Sequence, residues 1–255
     1  MLKEGYLKEN YHYFHLKDTA GDERDFHFHE FDKIVILLSG VVEYAVESEI
    51  FKLRPYDVLL VKHHSIHKAV IDKSVPYERV IIYLDEARYS SLMPEAALTR
   101  CFDRLMYNPG KEKIDSLISS IEGSENEVIR ETYIIQLLAT LNSLKGTEPE
   151  IRHYDEKTET VLTYINENLS SEMSVDTLSK LVHQSKYHFM RCFKENTGET
   201  VHSYIRQRRL LHASQLIRNG CAATDAAIQS GFEDYSVFYK AFKDNFGFSP
   251  KELKP

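Results

Sequence analysis

Residues 231–243 read GFEDYSVFYKAFK, and Gly247 and Pro250 follow them. Gly231 suits the left-handed turn between two helices, and Asp234 is a typical N-cap for the second helix. Apolar residues recur there at helical spacing and predict a buried face of Phe238, Ala241 and Phe242. The other faces then present Tyr235, Ser236, Tyr239, Lys240 and Lys243. The stretch predicts a helix-turn-helix unit, whose second helix enters the major groove of DNA.

A second unit of the same kind is predicted upstream, at residues 174–195. Ser174 and Ser185 are expected to cap its two helices. Its buried stripe is predicted to contain Val175, Leu178, Leu181, Val182, Phe189, Cys192 and Phe193. The second helix leaves outward Tyr187, His188, Met190, Arg191 and Lys194. Arginine can fork onto guanine and lysine more often neutralises phosphate, so this helix suits DNA.

A long helix over residues 199–219 is predicted to join the two units, and Asn219-Gly220 ends it. Its inward residues are expected to be Tyr204, Ile205, Leu210, Ala213, Leu216 and Ile217. Its basic residues Arg206, Arg208 and Arg209 are expected to face water or phosphate. The helix that opens the second unit is predicted to begin at Thr224 or Asp225. Two units on one polypeptide can reach two successive grooves without a dimer partner.

A helical bundle with a solvated basic face is the alternative interpretation of this region. From residue 180 onward the chain has twelve Lys or Arg against seven Asp or Glu, a surplus of five. That surplus is modest for a protein whose affinity rests largely on phosphate neutralisation. The ordered motif, and not the charge, therefore favours DNA binding.

These residues resemble the DNA-binding domain of the AraC/XylS family of bacterial transcription regulators. The resemblance covers roughly the last 100 residues and includes Leu178, Ser185, Arg191, Cys192, Phe193, Lys194, Gly198, Tyr204, Ile205, Arg209, Leu210, Ala213, Ala227, Gly231, Phe232, Asp234, Phe238, Phe242, Lys243, Gly247, Ser249 and Pro250. It implies base contacts by Tyr187, Met190, Arg191, Tyr235, Ser236, Tyr239 and Lys240. It also implies double-stranded operator DNA and RNA polymerase as partners, and activation more often than repression.

The chain departs from the family pattern at four positions. His183 stands where the family often has glycine, which predicts a slightly strained turn. Ala226 replaces a larger aliphatic residue and thins the second core. Met190 is a poor hydrogen-bonding reader of bases, and Lys240 stands where arginine is often found. These departures concern sequence specificity and not the fold.

Composition separates the two halves of the chain. Its 255 residues are enough for two domains. The net charge of −7 lies within residues 1–154, because residues 155–255 carry thirteen basic and thirteen acidic residues. The front half is therefore expected to have a function other than DNA binding.

Cys101, Cys192 and Cys221 show no disulfide or zinc spacing. The N-terminus is too polar for a signal peptide and no apolar run could span a bilayer, so a cytoplasmic protein without a membrane partner is predicted.

The front half has the pattern of short strands. Ile34–Leu38 and Val41–Val46 are predicted to form a hairpin across Ser39-Gly40, and Ile50–Leu53 is predicted to pair with Val58–Val61. Further strands are expected at residues 68–71 and 77–84, and Tyr11–His15 is taken as the first strand in preference to a flap over a pocket. Such spacing is typical of a small antiparallel barrel or sandwich. The order of features over residues 10–85 resembles the cupin-type sensor domain that commonly precedes an AraC-type DNA-binding domain.

Three histidines of this region raise the question of a metal. His27 and His29 follow Gly21 and alternate along one strand, and His67 falls where the cupin pattern places its last ligand. However, Lys33 occupies the position of the expected carboxylate. The sequence therefore favours histidines that bind an effector or each other, with no metal and no cofactor.

The mouth of a small barrel is a natural site for a small molecule. The candidate effector-binding residues are His27, His29, Tyr44, His67 and Arg79. Aromatic rings beside hydrogen-bonding groups suit a sugar, although an aromatic acid or a short peptide would also fit. Arg79 has an alternative place on the rim, paired with Glu78 or Asp85.

Residues 111–122 and 127–145 carry apolar residues at helical spacing. The family resemblance implies that such helices pair two subunits into a homodimer, and the alternative is that they cover the barrel. Lys145–Pro149 reads as a linker. The prediction is thus an α+β protein with a cupin-like barrel and dimerisation helices at residues 1–146. An all-α domain with two helix-turn-helix motifs follows at residues 151–255.

The sequence predicts a ligand-responsive DNA-binding regulator, and not an enzyme. Two alternatives stay open. One is a metal-dependent cupin enzyme with a DNA-binding tail, and the other is a regulator whose pocket is vestigial.

Overall fold

The computed structural model describes residues 9–18, 26–47, 49–92, 106–144 and 151–253. Its strands are β1 (Tyr11–Asp18), β2 (Asp32–Ser39), β3 (Val42–Val46), β4 (Glu49–Leu53), β5 (Val58–Val61), β6 (His67–Ile71), β7 (Tyr77–Leu84), β8 (Met106–Tyr107) and β9 (Ile151–His153). Its helices are α1 (Glu86–Ser91), α2 (Lys111–Gly123), α3 (Glu127–Ser143), α4 (Glu156–Glu167), α5 (Val175–Leu181), α6 (Lys186–Thr197), α7 (Val201–Arg218), α8 (Ala223–Gln229) and α9 (Tyr235–Phe246). Gly21, Cys101 and the predicted linker at residues 145–149 lie outside the described residues.

The strands form two antiparallel sheets, ordered β1-β7-β2-β5-β8 and β6-β3-β4-β9. Their facing sides share one apolar core, in which Val35 and Leu59 of the first sheet meet Val46 and Phe51 of the second. β1 pairs with β7 along its whole length, so the N-terminal stretch is a strand, as predicted. The predicted two-domain α+β class is confirmed.

The two predicted hairpins are wrong. β2 pairs with β5 and β7, whereas β3 pairs with β4 and β6, so the chain changes sheets between β2 and β3 and again between β4 and β5. Gly40, with φ of 105°, makes the first crossing, where an added Cβ would lie 2.9 Å from the Pro76 carbonyl oxygen. β2 is buried on both faces for most of its length, as expected of a strand between two packed layers.

Helices α2 and α3 cover the outer face of the first sheet. Ile114 and Ile118 of α2 and Leu138 of α3 share a core with the outward residues of β2, β5 and β7. The predicted helices are confirmed, and so is their packing on the sandwich. On the far side of α3, Val128 and Ile129 are exposed. In the described parts of the chain, no helix combines the length and the apolar character needed to cross a bilayer.

The chain enters its helical part through β9, which pairs with β4 of the second sheet. Residues 151–153 therefore lie on the strand-rich domain, and α4 begins the helical bundle at Glu156. Units α5–α6 and α8–α9 form the two helix-turn-helix motifs around α7. Helix α8 begins at Ala223, slightly before the predicted start, and no side chain caps it.

Candidate DNA-contacting surface and sensor pocket

The first recognition helix, α6, is set by its caps and its buried aromatic residues. The Ser185 hydroxyl accepts a hydrogen bond from the His188 amide, and Phe189 and Phe193 are buried. The turn before it contains His183 at φ 53°, which confirms the predicted strain at this position. The outward residues named from the sequence are exposed, namely Tyr187, His188, Met190, Arg191 and Lys194.

Arg191 is the residue of α6 best suited to read a base. It lies beside His188, with 3.4 Å between its Nη2 and the His188 Nδ1, and its Nε is 3.8 Å from a Glu195 carboxylate oxygen. Both contacts are exposed and within one helix, so they orient the guanidinium and cost little to break. A groove of about 320 Å³ lined by Tyr187, Met190 and Lys194 continues this surface toward His202.

The second recognition helix, α9, repeats the design. The Asp234 carboxylate accepts a hydrogen bond of 2.6 Å from the Ser236 amide and caps the helix. Phe238, Phe242 and Phe246 are buried on one side. Ser236, Tyr239, Lys240 and Lys243 are exposed, while Tyr235 is half-buried against the Phe238 ring. The exposed Val237 joins this surface, and sequence reasoning missed it because an apolar residue was assigned to no outward role.

Two of the three arginines of α7 do not face water or phosphate, contrary to the prediction. Arg208 donates to a Glu47 carboxylate oxygen at 2.7 Å. Arg209 donates from Nε to the Leu169 carbonyl at 3.1 Å and from Nη2 to the Ser171 carbonyl at 2.8 Å. Both side chains donate to oxygen atoms of segments that are close in space but distant in sequence. Of the three arginines, only Arg206 is exposed.

The strand-rich domain contains a cavity of about 70 Å³ between its two sheets. The residues that line it are His27, Lys33, Tyr44, His67, Ala69, Ile71, Tyr77, Arg79, Ile81 and Tyr83. Four of the five predicted effector-binding residues are among them. The fifth, His29, is buried beside the cavity and stacks on Phe31 with 4.1 Å between ring centroids.

Sequence reasoning missed three polar lining residues, Lys33, Tyr77 and Tyr83. Alternation along β7 contained the signal for the tyrosines, because residues 77, 79, 81 and 83 must share one face. The sequence indicates for Lys33 only that it occupies the position of the carboxylate expected in a metal site. Arg79 does not lie on the rim with Glu78 or Asp85, since it is buried with its Cζ 4.3 Å from the centroid of the Tyr77 ring.

The three histidines do converge. The ring centroid of His67 is 4.4 Å from that of His27 and 4.7 Å from that of His29. His67 Nδ1 lies 2.9 Å from the Ser65 carbonyl oxygen, and its Nε2 lies 3.5 Å from Lys33 Nζ. Within the described ranges, no group of three or more His, Cys, Asp or Glu residues is arranged to hold a metal ion.

Burial lowers the pKa of His29 and of His67 well below the usual histidine value, and the charges of Lys33 and His27 act in the same direction. Both imidazoles are therefore neutral in the folded protein. The unfolded chain binds protons at these sites below about pH 6.5 and the native chain does not, so the free energy of unfolding should fall as pH falls from there. Two such sites give a limiting slope of about 2.7 kcal/mol per pH unit.

Urea unfolding between pH 5 and 8 checks this expectation, with His67→Gln reducing the acid slope by up to half. His63 supplies the contrast, because its hydrogen bond to Asp32 raises its pKa. The stabilisation that this raised pKa reports is fully present below about pH 6.5 and is lost as pH rises through the raised value, so His63→Gln should alter the slope only above about pH 6.5. An unchanged acid slope in His67→Gln would contradict a neutral His67.

One pair of segments forms a wall between the cavity and the helical domain. Residues 26–29 meet β6 through two backbone hydrogen bonds between His27 and His67. His27 and His67 face the cavity. Their neighbours Phe26, Phe28 and Ile66 belong instead to the apolar core of the helical domain. We call these residues, 26–29 and 66–68, the partition.

Aromatic and polar contacts join the partition to the helical domain. The Phe28 and Phe246 ring centroids are 5.4 Å apart, and Lys68 Nζ donates to the Gly198 carbonyl at 2.6 Å. Close to the partition, Arg218 of α7 lies 2.9 Å from the buried Glu30 carboxylate. The end of the first helix-turn-helix unit, Gly198, is thus tied directly to a strand that lines the cavity.

Comparison with known proteins follows the same division. Residues 10–138, half of the chain, match the family described as AraC-like ligand binding domain, and residues 178–254 match a family described as helix-turn-helix domain. The chain is 29% identical over 145 residues to the lactose operon transcription activator of Staphylococcus xylosus. This alignment covers 55% of this chain and 52% of that protein. It is 24% identical over 241 residues to the HTH-type transcriptional activator RhaS of an Enterobacter species, and this alignment covers 89% of this chain and 86% of RhaS. Among solved structures it is similar to ToxT of Vibrio cholerae, with 14% identity and a TM-score of 0.45, and the superposition covers 96% of this chain and 97% of ToxT.

Proposed function

The chain belongs to the AraC family of transcription regulators and carries that family's ligand-binding and DNA-binding domains, and from this premise we propose that it is a cytoplasmic, sugar-responsive transcription activator. A small metabolite of the sugar class binds the cavity, α6 and α9 bind adjacent major grooves, and RNA polymerase is recruited to the promoter. The protein is not an enzyme in this proposal. A lactose operon activator among its relatives supports the sugar class.

The partition is the observation that carries the proposal. A ligand changes the behaviour of a protein only by binding two arrangements with different affinity. A molecule that moves His27 or His67 displaces a backbone whose alternate side chains pack on α7 and α9. Binding in the cavity therefore alters how the helix-turn-helix units are held.

We further propose that the protein acts as a homodimer through α3. Its outer side exposes Val128, at 69%, and Ile129, while its inner side is fixed on the sheet. Two copies would present four recognition helices to adjacent half-sites. An operator with two repeated half-sites is the corresponding expectation.

The proposal is tested by selecting operators from a random DNA pool and measuring their affinity with and without neutral and acidic monosaccharides. A sugar that raises the melting temperature should also change the affinity for the selected DNA. A sugar that stabilises the protein and leaves DNA affinity unchanged would contradict the proposed coupling. A stabilising divalent metal, reversed by chelation, would instead favour the cupin enzyme.

Lys68→Met should uncouple the two domains. It removes a charged donor to the Gly198 carbonyl, worth about 1.5–3 kcal/mol, and keeps most of the side-chain stem. We expect the ligand-dependent change in DNA affinity to shrink several-fold while ligand affinity stays within about twofold. Fluorescence anisotropy with labelled operator measures both. The exposed Lys62→Met is the matched control, and equal behaviour of the two variants would argue against the Lys68 contact as a coupling element.

A further inference from the structure

Glu47, the residue that follows β3, has a left-handed backbone with φ of 54°. This conformation is favoured by glycine and is strained for a residue that carries a Cβ atom. Such strain persists where surrounding contacts fix the residue, and it is concentrated at positions with a functional role. The side chain of Glu47 makes contacts of this kind with two parts of the molecule.

The first set of contacts joins Glu47 to the partition. The Glu47 amide donates to the Ile66 carbonyl at 2.8 Å, and the Ile66 amide donates to Glu47 Oε1 at 2.8 Å. Val46, the preceding residue, is paired with His67 in the second sheet. Because His67 lines the cavity, Glu47 is fixed to the partition one residue away from the cavity wall.

The second contact joins Glu47 to the helical domain. Its other carboxylate oxygen, Oε2, accepts a hydrogen bond of 2.7 Å from Arg208 Nη1 of α7. The Glu47 side chain is 39% exposed and that of Arg208 is 17% exposed. An ion pair this accessible to water contributes little to stability and breaks at small cost. It suits a contact that is made in one arrangement of the two domains and released in another.

Helix α7 connects this ion pair to the first recognition helix. Tyr204 lies one turn before Arg208, and its ring centroid is 6.1 Å from that of Phe193 in α6. The same ring is 5.8 Å from that of Phe26 in the partition. A shift of α7 at Arg208 therefore changes the packing of Tyr204 against the helix that carries the DNA-contacting residues.

We propose that Glu47 is a positioning residue that transmits the occupancy of the cavity to α7. One carboxylate is shared between the partition and Arg208, so a displacement of His67 changes the contact that holds α7. This inference rests on the proposed sensing function of the cavity and names the residue through which that site regulates DNA binding.

Glu47→Gln tests the transmission in the full chain, because its amide oxygen can still accept from Ile66 while the negative charge is lost. The probes are galactose, glucose and galacturonate, and fluorescence anisotropy with labelled operator measures DNA affinity with and without each. We expect the sugar-dependent change in operator affinity to shrink about threefold or more, with sugar affinity within about twofold of the parent. The melting temperature should stay within about 4 °C of the parent, since a water-accessible ion pair contributes little.

A second measurement needs no sugar, because coupling between two sites is reciprocal. Hydrogen exchange followed by mass spectrometry compares the free and operator-bound chain at the peptides that contain His27 and His67, whose amides bond across the partition. We expect operator binding to change these exchange rates about threefold or more in the parent. The change should be lost in Glu47→Gln.

Three further variants assign the effect to the ion pair. Arg208→Met should reproduce Glu47→Gln, and the double variant should lose nothing more, because each substitution removes the same contact. Arg208→Lys keeps the positive charge and should retain part of the response. Glu112→Gln makes the same charge change at an exposed position of α2 and should leave both measurements unchanged.

Equal responses of Glu47→Gln and the parent would overturn the role of Glu47 and leave the sensing function standing. A loss of stability in Glu47→Gln with both responses retained would show that Glu47 only supports the fold, and it would overturn the inference as well. If no sugar binds and the operator leaves the partition unchanged in the parent, the inference and the proposed coupling both fail. If no sugar binds but the operator changes the partition, only the sugar class fails, and the exchange rates of Glu47→Gln decide the inference.

Discussion

Gly231→Ala is expected to destabilise the helical domain by about 3 kcal/mol or more and to abolish operator binding at physiological temperature. Gly231 has φ of 82°, a conformation that costs an alanine about 1–2 kcal/mol. An added Cβ would also lie 2.3 Å from the Leu169 carbonyl oxygen and 2.8 Å from Arg209 Cζ. The same carbonyl oxygen accepts the hydrogen bond from Arg209 Nε. A shift of Leu169 or Arg209 that relieves the clash would therefore also break this hydrogen bond.

Gly220→Ala is the matched control for this effect. Gly220 has φ of 90°, yet nothing lies within 4 Å of an added Cβ there. It should therefore cost only the backbone strain, about 1–2 kcal/mol. Urea unfolding monitored by circular dichroism, together with operator binding, separates the two. Equal destabilisation by both substitutions would show that the Leu169–Arg209 contact does not restrict this turn.

Arg191→Ala is expected to weaken operator binding by about 1–3 kcal/mol, roughly fivefold to 150-fold, and to relax the preference at one base pair. The guanidinium is exposed on α6, and its present partners His188 and Glu195 are readily exchanged for a base. Arg191→Lys distinguishes the paired hydrogen bonds of a guanidinium to a base from the effect of positive charge alone. It should lose the base preference and keep the salt dependence of binding.

Competition titrations with single-base operator variants, at two salt concentrations, measure both quantities. Uniform weakening across all operator variants would place Arg191 on phosphate. If Arg191→Ala binds the operator as tightly as the parent protein, the proposed placement of α6 against DNA is wrong. Neither substitution should change the stability of the domain, because Arg191 is exposed.

The helix-turn-helix units could be predicted closely because each depends on local chemistry. Ser185 and Asp234 cap their helices, and Phe189, Phe193, Phe238 and Phe242 are buried at the positions that helical spacing requires. Such signals lie within a dozen residues of each other. They need no knowledge of what packs from elsewhere.

Predictions failed where the partner lies far along the chain. Adjacency in sequence predicts one hairpin for β2 and β3, but β2 pairs with β5 and β7. Its burial on both faces depends on the second sheet on one side and on α2 and α3 on the other. Arg208 was assigned to solvent because its acceptor, Glu47, is 161 residues away. Four lining residues of the cavity could be predicted, His67 from the cupin resemblance and His27, Tyr44 and Arg79 from their polar chemistry on predicted strands. Lys33 could not, because the role of a buried cation depends on neighbours that are distant in sequence.

The partition also decides how this protein can be re-engineered. Its sensor cannot be exchanged as a cassette cut at the linker, because Phe26, Phe28 and Ile66 would leave with it and strip the core beside Phe246. A working chimera must retain those three side chains and replace only the alternate positions. Under the proposed function, substitutions at His27, His67 and the residues that face them across the cavity are expected to alter effector preference, while Phe26, Phe28 and Ile66 on the other side of the same segments keep the contact with the helical domain.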